Sequence, residues 1–121
     1  MRAFLLILLV SLVVSAQVRP YNFSPVPRVE LLYGVSHVDG YIEIQVESNG
    51  CTEPDSFHVM KDYNSEDQVV RLLFVRYKPD WCKAYIADGV RLRFSKEDLG
   101  LQRNDILRVE NPIGPNRRPE D

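Results

Sequence analysis

Two cysteines, Cys51 and Cys82, are the only ones in the chain of 121 residues. Nothing else in the sequence limits the fold as tightly. An even count without C-x-x-C spacing fits a structural disulfide better than zinc binding or thioredoxin-like redox work. The bond would close a loop of 30 residues. Removing that much freedom from the unfolded chain is worth roughly 3 to 4 kcal/mol, a large share of a small domain's stability. Bridging requires Cα atoms within roughly 4.4 to 6.8 Å. Asn49-Gly50-Cys51-Thr52 and Pro79-Asp80-Trp81-Cys82 must therefore meet in space. Pro79 and Trp81 are expected to shield the sulfurs.

A disulfide needs an oxidising compartment, and the start of the chain reads as an address for one. Met1-Arg2 carries a positive charge, Ala3 to Val14 is apolar except for Ser11, and Val14-Ser15-Ala16 precedes Gln17. That order is a secretory signal peptide, residues 1–16, cleaved after Ala16. The apolar run is about 12 residues, short of the roughly 18 to 20 that a membrane span needs. A periplasmic or extracellular protein with no membrane span is expected. Its net charge is −2 before processing, which gives no reason to expect nucleic acid as a partner.

Residues 17–27 are rich in proline and lack a period, as in an extended arm. From residue 28 onward the period is two, the period of strands. Val29, Leu31, Tyr33 and Val35 alternate and predict a strand over 28–36. Asp39-Gly40 predicts a tight hairpin turn, because both residue types tolerate positive φ. Ile42, Ile44 and Val46 then alternate with Glu43, Gln45 and Glu47, so one face is buried and one is wet. A short strand is expected over 56–62. Residues 68–77 are apolar on both faces and predict a central strand, covered on both sides or nearly so. Val90, Leu92 and Phe94 alternate with Arg91 and Arg93 in a further strand. Ser95 to Asp98 has the spacing of a helix N-cap, and Gly100 that of a stop, so one helical turn is expected there. A last strand runs from Ile106 to Glu110. The domain is expected to span 28–112, with a disordered tail over 113–121.

The expected fold is all-β: a small antiparallel β-sandwich of about six to seven strands with one helical turn and one disulfide. A disulfide with Trp81 nearby points to an immunoglobulin-like version.

Charge is unevenly placed along the chain. Asp39 to Asp67 holds eight acids and one base, whereas Gln68 to Arg108 holds nine bases and five acids. The simple expectation is two halves that attract each other on folding. Within the basic half, Arg76, Arg91 and Arg93 could form a stripe across adjacent strands, with Trp81 and Tyr85 close by. Clustered arginine and aromatic side chains are typical of interfaces. This is the candidate binding face, suited to an envelope protein or an anionic glycan. His58 and Met60 share a strand face and offer an imidazole and a thioether, the donors of a copper site. That chemistry wants three or four ligands, and the only other histidine is His37. No G-x-S-x-G, H-E-x-x-H or glycine-rich phosphate loop occurs. No enzyme activity and no cofactor are therefore expected.

Pro79-Asp80-Trp81-Cys82, Asn49-Gly50-Cys51-Thr52, Leu92-Arg93-Phe94, Leu99-Gly100-Leu101 and Asn111-Pro112 together resemble small uncharacterised secreted proteins of Gram-negative bacteria. The resemblance covers roughly residues 41–112 and implies a periplasmic address; it carries no activity. The expected function is an envelope binding or accessory module: an inhibitor, a subunit or a ligand-binding domain. The alternative is a periplasmic copper-handling protein using His58 and Met60.

Overall fold

The clearest alternation in the sequence gives the clearest strand. In the computed structural model, which describes residues 25–115, β3 spans Tyr41–Val46. Ile42, Ile44 and Val46 are fully buried, and the residues between them are not. β3 is the middle of a three-stranded sheet. On one side it pairs antiparallel with β2 (Gly34–Val38), on the other with β6 (Val90–Ser95). The β2–β3 turn is the expected Asp39-Gly40, with Val38 opposite Tyr41. Only Gly40 takes a positive φ, +73°; Asp39 does not need one.

The second sheet is built on β5 (Val69–Arg76), the strand whose aliphatic residues fill both faces. β4 (Phe57–Asn64) pairs antiparallel along its whole length. The other edge of β5 is shared end to end. β1 (Arg28–Val29) runs antiparallel to the Val75–Arg76 end, and β7 (Ile106–Val109) runs parallel to Val69–Leu72. The parallel pair departs from the all-antiparallel expectation.

Phe74 lies in the gap between the two, where neither strand completes the ladder. Its N–H donates to the Asn111 side-chain oxygen at 2.8 Å. Its carbonyl accepts from the Asn111 amide at 2.8 Å and from the Glu30 N–H at 3.1 Å. Asn111 also donates to the Glu30 carbonyl. One buried amide thus does the work of a missing strand residue, and satisfies groups that would otherwise be costly to bury.

The two sheets share one core. Leu72 and Phe74 from the β5 sheet meet Ile42, Ile44, Leu92 and Phe94 from the β3 sheet. The Phe74 and Phe94 rings pack edge to face with centroids 5.0 Å apart. Each such side chain contributes about 1.5 to 3 kcal/mol on burial, so the core carries the fold.

The expected first strand over 28–36 is two strands in two sheets. The chain crosses between them at residues 30–33. Leu32 is fully buried in the core, whereas Val29 is 48% exposed. The 29/31/33/35 alternation therefore holds in β2, where Val35 packs against the core, and fails at Val29 and Leu32. A chain that changes sheets also changes which side is inward. The expected helical turn at 95–100 is a turn without a helix. Ser95 does accept from the Asp98 N–H, and Leu99 donates to the Ser95 carbonyl, but the next bonds, Gly100 N–H to Glu97 and Leu101 N–H to Lys96, close the turn at Gly100, whose φ is +69°. The one helical turn among the described residues is a 3-10 turn at Pro54–Ser56, where Glu53 and Ser56 cap each other. Ile113 bridges to Leu32, and the Gly114 N–H donates to the Leu32 carbonyl, so paired chain continues past residue 112. The expected signal peptide, most of the expected arm and residues 116–121 lie outside the described residues.

Candidate binding surfaces around the disulfide

The connection from β5 to β6, residues 77–89, has no regular structure, yet it is held firmly. Cys82 in this connection bonds Cys51, just past β3, with Cα atoms 5.6 Å apart. Asp80, two residues earlier, is the second anchor. Its Oδ2 accepts from the Ser48 and Thr52 hydroxyls and from the Asn49 and Cys51 N–H groups, at 2.7 to 3.2 Å. Its Oδ1 accepts from the Cys82 N–H at 3.1 Å. Partial burial pushes this carboxyl upward. The Thr52 hydroxyl and the Asn49, Cys51 and Cys82 N–H groups outweigh burial and hold it down at about 2. Further along, the Ala84 N–H donates to the Asn49 carbonyl.

Thr52 links this knot to a buried charge pair. Its hydroxyl donates to Asp80 and accepts from Arg76 Nη1 at 2.9 Å. Arg76 Nε meets Glu30 Oε2 at 2.5 Å, and both side chains are 97% buried. Nη2 donates to the Glu47 carbonyl, and the guanidinium stacks over Phe57 with 4.9 Å to the ring centroid. Every buried polar side-chain atom among the described residues has a partner.

Arg76 therefore does not belong to the binding stripe expected from the sequence. It is an inward-facing residue of β5, in the opposite sheet from Arg91 and Arg93. Arg91 and Arg93 do share a face. They lie on the outer side of β6, across from Gln45 and Glu43 of β3. Arg93 Nε contacts Glu43 Oε2 at 2.9 Å. Pairs of this kind, with Asp55–Lys78 and Asp67–Arg71, join the acidic and basic halves of the sequence. Trp81 and Tyr85 project from the anchored connection, 65% and 59% exposed. Trp81 is not the buried companion of the disulfide that an immunoglobulin domain would have, and neither cysteine lies on a strand.

His58 and Met60 are exposed on the outer face of β4, as the period of two requires. The His58 ring meets Tyr77 edge to face at 5.8 Å. His37 is on β2, in the other sheet, so the histidines do not converge. The Cys51, Asp80 and Cys82 ligand-type atoms lie within 4.8 Å of one another. Both sulfurs are spent on the disulfide and the carboxylate on its five donors, so the cluster is a structural knot.

Between β4 and β6 the two sheets leave an open cleft of about 470 Å³. Half-buried Phe57, Val59 and Leu99 line it, with His58, Lys61 and Arg93 at hand. Sequence reasoning gave Asp80 no role. The signal was available, since an Asp two residues before Cys82 is placed to take its N–H in a local Asx turn. The distant donors from 48–52 were not legible. No helix among the described residues is long and apolar enough to cross a membrane. No family model, no curated protein and no solved structure matches this chain.

Proposed function

We propose that the chain is a non-catalytic binding module of the periplasm or cell exterior, and that it recognises its partner with the disulfide end. One observation carries this reading. A connection without regular structure is fixed by a disulfide and by five hydrogen bonds to Asp80, yet it presents Trp81 and Tyr85 outward. Tryptophan and tyrosine are enriched at protein interfaces relative to the rest of the surface. Held rigid in advance, they bind without losing loop entropy, as interface anchors do. Arg91, near the start of β6 where this connection ends, adds positive charge, and Arg93 follows on the same face. An envelope protein or an anionic glycan suits that combination. The disulfide, the resemblance to secreted Gram-negative proteins and the expected signal peptide support an envelope address.

Trp81 is the only tryptophan, so its emission reports on this surface alone. Anionic glycans and envelope extract fractions should shift or quench it, and the response should be lost on reversing Arg91 and Arg93 to Glu. Tyr85→Ala should weaken binding without moving the melting temperature. A partner that binds equally well to a Trp81→Ala, Tyr85→Ala double variant would remove this surface from consideration.

A further inference from the structure

β4 is an edge strand of eight residues, and no described strand pairs with its outer side. Long unpaired edges invite another strand. The backbone groups available for this can be identified. The Ser56 carbonyl accepts from the Tyr77 N–H and the Asn64 carbonyl from the Gln68 N–H, so the even-numbered residues turn their backbone toward β5. In an antiparallel ladder the alternate residues face the other way. Val59, Lys61 and Tyr63 therefore present N–H and C=O groups to the free edge; the Phe57 N–H is taken by the Pro54 carbonyl.

We propose that a second copy of this chain occupies that edge, β4 against β4, across a two-fold axis at Met60. The sequence of the strand is self-complementary about that residue. Antiparallel pairing centred there sets His58 opposite Asp62 of the second copy and Phe57 opposite Tyr63. Met60 faces its own copy, and Val59 faces Lys61. Met60 directs its backbone to β5, so the central pair is of the close, non-hydrogen-bonded kind that lets side chains touch. Val59 and Lys61 of opposite copies exchange the hydrogen bonds. Two-fold registers centred on Lys61 or Asp62 would set like charges face to face, which disfavours them. Lys61 is the usual sort of guard on an exposed edge. Here its Nζ is drawn inward to the Leu99 carbonyl and leaves the edge open. The product is one sheet continuous through both copies, with an isologous interface.

Sedimentation of the native protein tests this. A dimer should form at roughly 0.1 mM. Val59→Pro removes a free-edge N–H and no β4–β5 bond, and should give a folded monomer. His58→Asp sets two acids opposite each other twice over and should weaken the dimer about tenfold. Adding Asp62→Lys to that variant should restore it. A native protein that stays monomeric overturns the proposal. So does a dimer that survives Val59→Pro or ignores the His58→Asp change. If Val59→Pro does not fold, the His58 and Asp62 variants decide.

Discussion

Asp80 shows how much one side chain can organise. Residues 48 to 52 leave β3 without a ladder to join, and their N–H and hydroxyl donors need an acceptor. An ionised carboxylate offers about four acceptor sites and no donor, whereas an amide oxygen offers about two. Asp80→Asn keeps the shape but turns an NH₂ group toward donors. We expect it to cost about 2 to 3 kcal/mol, read as a lower urea midpoint. The same carboxylate sets a pH dependence. Its folded value of about 2 lies below the unfolded value of 3.8. The folded state therefore favours the charged form. This contribution is fully present above pH ~4 and is lost as the pH falls through about 2, a change on the order of 1 to 2 kcal/mol once solvent screening at this partly exposed site is allowed for. Urea titrations at pH 5 and pH 2 should differ more for the native protein than for Asp80→Asn. Equal acid sensitivity would mean another group is responsible. The Arg76–Glu30 pair behaves differently. Arg76→Met leaves the buried Glu30 carboxylate only the looser ion pair to Arg28 at 3.6 Å, and should cost roughly 3 to 5 kcal/mol, enough to unfold much of a marginal domain.

Strands were legible wherever one face meets the core and the other meets water. β3 and β6 follow that rule, and their inward rows could be named from the sequence. β5 was recognisable as central because both its faces are aliphatic. What could not be read was how the strands associate. β1 and β2 appear as one strand because Val29 to Val35 alternate without a break. The switch between sheets is fixed by Leu32 entering the core and by its N–H reaching the Pro112 carbonyl, 80 residues later. The parallel pairing of β7 was hidden for the same reason, since period says nothing of direction. Arg76 was misplaced because an arginine beside Tyr77 reads as surface. Only the buried Glu30, far off in sequence, makes its position sensible. Asn111 belongs to this level too, because it splices β1 and β7 along one edge of β5. Asn111→Ala would leave the Phe74 and Glu30 backbone groups short of partners in the interior. We expect a loss of about 2 to 4 kcal/mol. Hydrogen exchange at the Phe74 amide should rise ahead of exchange in β3, and uniform acceleration would argue against a local splice.

For the whole molecule, the disulfide and the core have separate tasks. The core joins the faces of the two sheets. The disulfide joins the segment that follows β3 to the long connection that leads from one sheet to the other, close to Asp80. A protein of this size buries a modest core, so a covalent tie matters. Replacing Cys51 and Cys82 with Ser should cost roughly 2 to 5 kcal/mol. The loss should be larger than the crosslink alone implies if the Asp80 donors loosen with it, because two of them are the N–H groups of the cysteines. The signature is specific. The double Ser variant should lose part of the acid-sensitive stability that Asp80 supplies, and adding Asp80→Asn to it should cost less than it does in the native protein. The β-sheet signal in circular dichroism should persist wherever the core still closes. Additive costs would mean that bond and carboxylate act independently, each holding its own part of the connection. Strong coupling would make them one device, which keeps Trp81 and Tyr85 in place for whatever they meet.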